Sequence, residues 1–102
     1  MMNNFMVIGR LVNDVELKEE NGKKYADITL AIPRNYKNEE GIYETDFIHF
    51  TIYDSTALNT SEYCRKGDII GVRGRLETKD NQLCLLVEKL SFISSKKNNE
   101  EE

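Results

Sequence analysis

The chain has 102 residues, enough for one compact domain with a single core and too few for two. Its formal net charge is −4, which counts against a simple electrostatic binder, because phosphate neutralisation normally supplies most non-specific nucleic-acid affinity. No window approaches the run of about 18 apolar residues that a membrane span needs. The N-terminus also lacks the basic stretch and apolar block of a secretory signal, so a cytoplasmic location without membrane attachment is expected.

The acid is concentrated at Glu16, Glu19 and Glu20, at Glu39 and Glu40, and at Glu100, Glu101 and Glu102, which leaves room for a local basic groove elsewhere. The two cysteines, Cys64 and Cys84, are too isolated for a disulfide framework or a zinc knuckle and are read as reduced, partly buried thiols.

Phe5 to Val12 reads as a strand rich in β-branched and large apolar residues, with Gly9 marking a bend or a close backbone approach. It continues weakly to Lys18. Glu20-Asn21-Gly22-Lys23 is a hairpin turn, since Asn-Gly accepts the positive φ of a type I′ turn. From Lys24 to Pro33, Ala26, Ile28, Leu30 and Ile32 alternate with Tyr25, Asp27, Thr29 and Ala31, so this strand is half-buried with its even positions in the core. Arg34 to Glu44 is polar and carries Gly41, which predicts a long mobile hairpin loop. Thr45 to Asp54 alternates again, with Ile48, Phe50 and Ile52 on one side and Phe47, His49, Thr51 and Tyr53 on the other.

Ser55 to Lys66 has no strand pattern and predicts a short helix, capped by Ser55 or Thr56 and closed by a left-handed Gly67. Asp68 to Thr78 predicts a fourth strand with Ile70, Val72 and Leu76 inward and Gly71, Arg73 and Arg75 outward. After a tight turn at Lys79-Asp80-Asn81, Gln82 to Ile93 predicts a fifth, apolar on both faces from Leu83 to Val87. The domain is expected over 1–94, followed by a short disordered charged tail over 95–102. Five strands with one helix between the third and fourth is the order of an OB-fold, an all-β, partly open Greek-key barrel.

If Ile48, Phe50 and Ile52 fill the core, Phe47 and Tyr53 must point outward, and large exposed aromatics are unfavourable unless something covers them. Two readings are open: nucleobases stack on them, or they pack under the long loop or in a subunit interface. Tyr36, at the base of the loop, is a third platform, and Tyr43 is a weaker fourth. His49 and Thr51 lie between the rings and can hydrogen-bond, while Arg34, Lys37, Arg73 and Arg75 can approach phosphates. His49 is the single histidine and has no neighbouring metal ligand in sequence. Gly71-Val72-Arg73-Gly74 lacks the spacing of a phosphate loop and is read as relief of crowding in a curved strand. With no nucleophile beside a base, neither catalysis nor a cofactor or metal is expected.

The chain resembles the bacterial single-stranded DNA-binding protein family. The resemblance runs through Asn3, Val7-Ile8-Gly9-Arg10-Leu11, Asp14-Val15-Glu16-Leu17 (the family's Asp-Pro-Glu-Leu with valine for proline), Gly22 and Leu30-Ala31. It continues through Thr45-Asp46-Phe47-Ile48, Tyr63-Cys64-Arg65-Lys66-Gly67 and Gly74-Arg75-Leu76. It implies sequence-tolerant binding of single-stranded DNA in replication, recombination or repair, with stacking at the matching positions Tyr36, Phe47 and Tyr53. It also implies a homo-oligomer, a tetramer favoured over a dimer. The chain departs from the family in having a short turn between strands four and five without a stacking aromatic, no tryptophan, and a brief tail ending in Glu102 rather than Pro-Phe. The first two imply a shorter DNA path and weaker affinity, the third argues against enzyme recruitment by the tail. The alternative is a primosome-type OB-fold accessory protein acting mainly through protein–protein contacts.

Overall fold

The computed structural model describes residues 1–95, so the expected tail lies, apart from its first residue, outside the described residues. The strands are β1 (Phe5–Leu11), β2 (Lys18–Glu20), β3 (Lys23–Pro33), β4 (Thr45–Tyr53), β5 (Ile69–Lys79) and β6 (Gln82–Ser94), and helix α1 (Asp54–Tyr63) lies between β4 and β5. The chain leaves the sheet at Leu11 and re-enters at Lys18, so β2 is the detached far end of the first predicted strand and the five-stranded order stands. Among the described residues no helix is long and apolar enough to cross a membrane.

The sheet order is β1-β5-β6-β4-β3-β2, and a further pairing of β1 with β3 through Arg10↔Ala31 and Leu11↔Leu30 curls the sheet round on itself. One parallel contact, Thr51 on β4 beside Leu86 on β6, closes the remaining seam, which leaves the barrel partly open there, as an OB-fold is. Ala26, Ile28, Leu30, Phe50, Ile52, Ile70 and Val72 fill the interior, as their alternation predicts, together with Leu11 of β1. The Asn21-Gly22 turn is left-handed at both residues (φ 54 and 78), the geometry that Asn-Gly favours.

The helix differs from expectation at both ends. It begins at Asp54, whose positive φ of 53 swings the chain off β4, and neither Ser55 nor Thr56 supplies a side-chain cap. Gly67 does not cap it either. Cys64 is already extended, and Gly67 (φ 98) sits in the next turn, where Asp68 N–H donates to Arg65 O at 3.0 Å. Gly67 N–H donates to Leu11 O at 2.8 Å and its carbonyl accepts from Arg10 Nη1 at 2.6 Å, tying the turn to β1. Cys64 is buried, and burial, assisted by Asp68, raises its thiol pKa, which keeps it protonated and inert.

Strands β5 and β6 form a hairpin that outruns the barrel. Its turn is Asp80-Asn81 alone, with φ of 53 and 62, and Lys79 still pairs with Gln82. The last β1 partner of β5 is Phe5 opposite Gly74, so Leu76, expected inward, projects beyond the core and is 40% exposed. In the two-faced apolar run on β6, Leu85 and Val87 face the core while Cys84 and Leu86 face the other side, and a local irregularity follows it. Gly74 pairs with Val87 and Arg73 with Lys89, so Glu88 bulges out, and the inward parity passes from Leu85 and Val87 to Leu90.

Gly74 holds this crossing. A Cβ there would run into the carbonyl of Leu86 and come within 2.9 Å of the Phe5 ring. Gly74→Ala is therefore expected to destabilise by about 1–3 kcal/mol through overpacking, seen as a fall in Tm of at least about 4 °C. An unchanged Tm would mean that the crossing relaxes freely.

Candidate nucleic-acid interface

Strand β4 has a core face and a solvent face. Phe50 and Ile52 are 2% and 1% exposed, whereas Phe47 and Tyr53 are 59% and 43% exposed. The register with β3 sets Phe47 opposite Ala31, His49 opposite Thr29, Thr51 opposite Asp27 and Tyr53 opposite Tyr25. Opposite residues on an antiparallel pair share a face, so the solvent face is a strip with an aromatic at each end and hydrogen-bonding groups between. Thr29 Oγ1 and His49 Nδ1 are 2.7 Å apart, and Thr51 Oγ1 donates to Asp27 Oδ1 at 2.9 Å. Lys18, from β2, lies 3.7 Å from the other oxygen of Asp27.

Beside the strip, a cleft of about 270 Å³ is lined by His49, Thr51 and Tyr53 on β4 and by Leu83, Cys84, Leu85 and Leu86 on β6. The wall exists because the hairpin continues past the barrel. The short turn between β5 and β6 therefore shortens only the tip of the arm.

The loop from Arg34 to Glu44 is more ordered internally than its polar composition suggests. Asn38 Oδ1 accepts from the N–H groups of Glu40 and Ile42 at 2.9 and 3.0 Å, and Gly41 supplies the positive φ of 80 that the turn requires. At the base, Arg34 donates to both oxygens of Asp46, from Nε at 3.1 Å and Nη2 at 2.9 Å, a bidentate geometry that fixes direction as well as charge. The hydrogen bond from Arg34 lowers the Asp46 pKa, and the same contact raises that of Arg34. Tyr36 and Tyr43 are 58% and 55% exposed on this loop.

Phe47, His49, Thr51 and Tyr53 thus come together on one strip, with Tyr36 and Lys37 on the adjoining loop. The arginines stand differently. Arg34 is engaged by Asp46 and, at 3.8 Å, by Glu44. Arg75 shares a hairpin face with its register partner Leu86, but its guanidinium is held by Glu77 at 3.1 Å and Glu88 at 3.3 Å. Arg73 pairs with Met6 and lines a groove with Ile8, Lys89 and Ile93 on the outer face of β1, β5 and β6. Sequence reasoning missed Tyr25 and Lys23, although both share the outward parity of Asp27 and Thr29. Lys23 Nζ lies 4.8 Å from the centroid of the Tyr53 ring.

The clamp at the loop base is set by the charge of Asp46. A carboxylate with a depressed folded pKa contributes fully above its unfolded value, about 3.9, and loses that contribution as pH falls through the folded value. Hydrogen exchange at the Arg34 and Ile42 amides is thus expected to stay protected from pH 7 down to about 4, while Asp46→Asn loses part of that protection at pH 7. Equal protection in the variant would show that the backbone pairing alone holds the loop.

Comparison with known proteins gives a consistent result. Residues 2–83 match the model of the "Single-strand binding protein family". Single-stranded DNA-binding protein B of Bacillus subtilis is 41% identical over 80 residues, 78% of this chain and 71% of its own length. Single-stranded DNA-binding protein 1 of Streptococcus pyogenes is 42% identical over 81 residues, 78% of this chain and 62% of its own. The solved structure "Plasmodium falciparum SSB complex with ssDNA" superposes with a TM-score of 0.70 at 26% identity, covering 92% of this chain and 96% of that one.

Proposed function

Because the chain belongs to the single-strand binding protein family, we propose that the outer face of β3 and β4 binds single-stranded DNA without sequence preference, as a binding protein and not an enzyme. The observation that carries this is the exposure of Phe47 and Tyr53 at either end of one strip. A base stacked on an aromatic ring contributes about 1–3 kcal/mol whatever its identity, since every base has a π-face. Tyr36 extends the stacking row onto the loop, His49 and Thr51 meet polar edges or phosphates between the rings, and Lys37 reaches the backbone. Arg34 and Arg75 hold carboxylates and so contribute less charge than their number suggests. Arg73, on another face, adds contacts only if the strand wraps round the barrel. The setting is DNA replication, recombination or repair in the cytoplasm.

We further propose that the protein works as a homo-oligomer, a tetramer in preference to a dimer. From Phe5 to Gly9, β1 pairs with β5 on one side, while its pairing with β3 involves only Arg10 and Leu11. A free strand edge invites pairing with a second copy. Met6, Ile8 and Ile93 are 72%, 56% and 48% exposed around one groove on the adjoining face, an apolar surface suited to a further contact between copies.

Phe47→Ala and Tyr53→Ala are each expected to weaken binding of a dT oligonucleotide by about 1–3 kcal/mol, roughly 5- to 150-fold, and the parent's tyrosine emission is expected to be quenched on titration. Unchanged affinity in both variants would remove stacking at these positions. Light scattering of Ile8→Glu is expected to give a smaller particle than the parent. Equal masses would place the contact between copies elsewhere.

A further inference from the structure

Tyr53 is not bare in the free protein. The strand pairing sets Tyr25 opposite Tyr53, and Lys23, two residues before Tyr25, lies on the same face. Lys23 follows the tight Asn21-Gly22 turn, and its ammonium is 4.8 Å from the centroid of the Tyr53 ring. It has an acidic alternative at hand, since Glu20 is its register partner on β2. Among the described residues no ion pair joins the two, and the ammonium rests on the ring instead. The contact is an attraction between the cation and the negative face of the aromatic quadrupole.

A base that stacks on Tyr53 occupies the ring face and displaces the ammonium. Each stacked nucleotide carries a phosphate within the reach of a lysine side chain, so the displaced cation has an anionic partner nearby. We propose that Lys23 is a phosphate ligand stored on the face of Tyr53, exchanged from ring to DNA backbone as the base arrives. The inference rests on the stacking role of Tyr53 proposed above, and adds a residue that acts twice: as cover for an exposed aromatic in the free state, and as a positive charge on the strand in the bound state.

Two other exposed tyrosines also have a cation near a ring face, Lys37 at 5.7 Å from Tyr43 and Arg34 at 6.0 Å from Tyr36. Arg34 is fixed by its bidentate bond to Asp46 and cannot be handed over. Lys23 is the one beside the β4 strip, and among the described residues no carboxylate forms an ion pair with it.

The exchange has a signature in salt. Losing one phosphate contact to a single strand reduces the slope of log K against log[salt] by about 0.7, whereas freeing the ring face favours binding at every salt concentration. Lys23→Gln, titrated with a dT oligonucleotide and followed by tyrosine quenching, is expected to bind more weakly than the parent at low salt, with a slope shallower by about 0.7. At high salt, where the phosphate contact is screened, it is expected to bind at least as tightly. In a Tyr53→Ala background the slope should still fall on adding Lys23→Gln, but the advantage at high salt should vanish, because no ring remains to uncover. Parallel lines for parent and Lys23→Gln would overturn the proposal, since the lysine would then take no phosphate. If Tyr53→Ala itself left affinity and quenching unchanged, the stacking reading would have failed. If Tyr53→Ala weakened binding while Lys23→Gln left the slope untouched, only the exchange would have failed.

Discussion

The register between β3 and β4 is the constraint on which the rest depends. Nine consecutive pairs, from Tyr25↔Tyr53 to Pro33↔Thr45, fix which side chains of β4 enter the barrel. A slip by one residue would bring Phe47, His49, Thr51 and Tyr53 inward and turn Phe50 and Ile52 to solvent. Core and proposed interface are therefore two readings of the same hydrogen-bond ladder. Burial of Ala26, Ile28, Leu30, Phe50 and Ile52 stabilises the correct register, and the exposed strip follows from it without further interactions. The Asn21-Gly22 turn acts at the other end of β3 and places Lys23 beside the end of β4.

Local pairing of carboxylates lets a chain of net charge −4 offer the proposed surface to a polyanion. Several acidic side chains near the site are already committed: Asp46 to Arg34, Asp27 to Thr51 and Lys18, Glu77 and Glu88 to Arg75. These pairs are exposed or half-buried and each contributes little to stability, but they remove isolated negative charge from the proposed path of a strand. Lys23 and Lys37, which form no ion pair among the described residues, rest their charge on tyrosine rings. Uniform positive charge is not needed when stacking supplies much of the attraction.

Much of this was legible from residue order because strand alternation is local. Ile48, Phe50 and Ile52 against Phe47, His49, Thr51 and Tyr53 is a pattern of period two, and the burial along β4 repeats it. Leu76 obeys the alternation of its strand and is still exposed, because the barrel ends at the Phe5–Gly74 pair, a boundary set by another strand. Gly67 has the composition of a helix cap but serves a turn bonded to Leu11, a contact between distant residues. The same limit applied to the arginines. Sequence shows that Arg34, Arg73 and Arg75 carry charge, whereas their partners Asp46, Met6 and Glu88 are chosen by pairing across strands. Tyr25 and Lys23 belong to a different class: their outward parity was visible, and their proximity to Tyr53 required the register.

The β5–β6 hairpin shows how one local irregularity shapes the site. Without the bulge that leaves Glu88 over, the parity of Leu85 and Val87 would run on through Lys89 and Ser91, and Leu90 would face outward rather than against the core. The bulge lets the barrel half of β6 fill the interior with Leu90 while the outer half presents Cys84 and Leu86 to the cleft beside Thr51 and Tyr53. Gly74 sits opposite that bulge, at the one point where a side chain would strike both the β6 backbone and the Phe5 ring. The arm that walls the cleft is thus anchored by the same crowded crossing that ends the core, so the position of the cleft and the packing of the barrel are not independent properties.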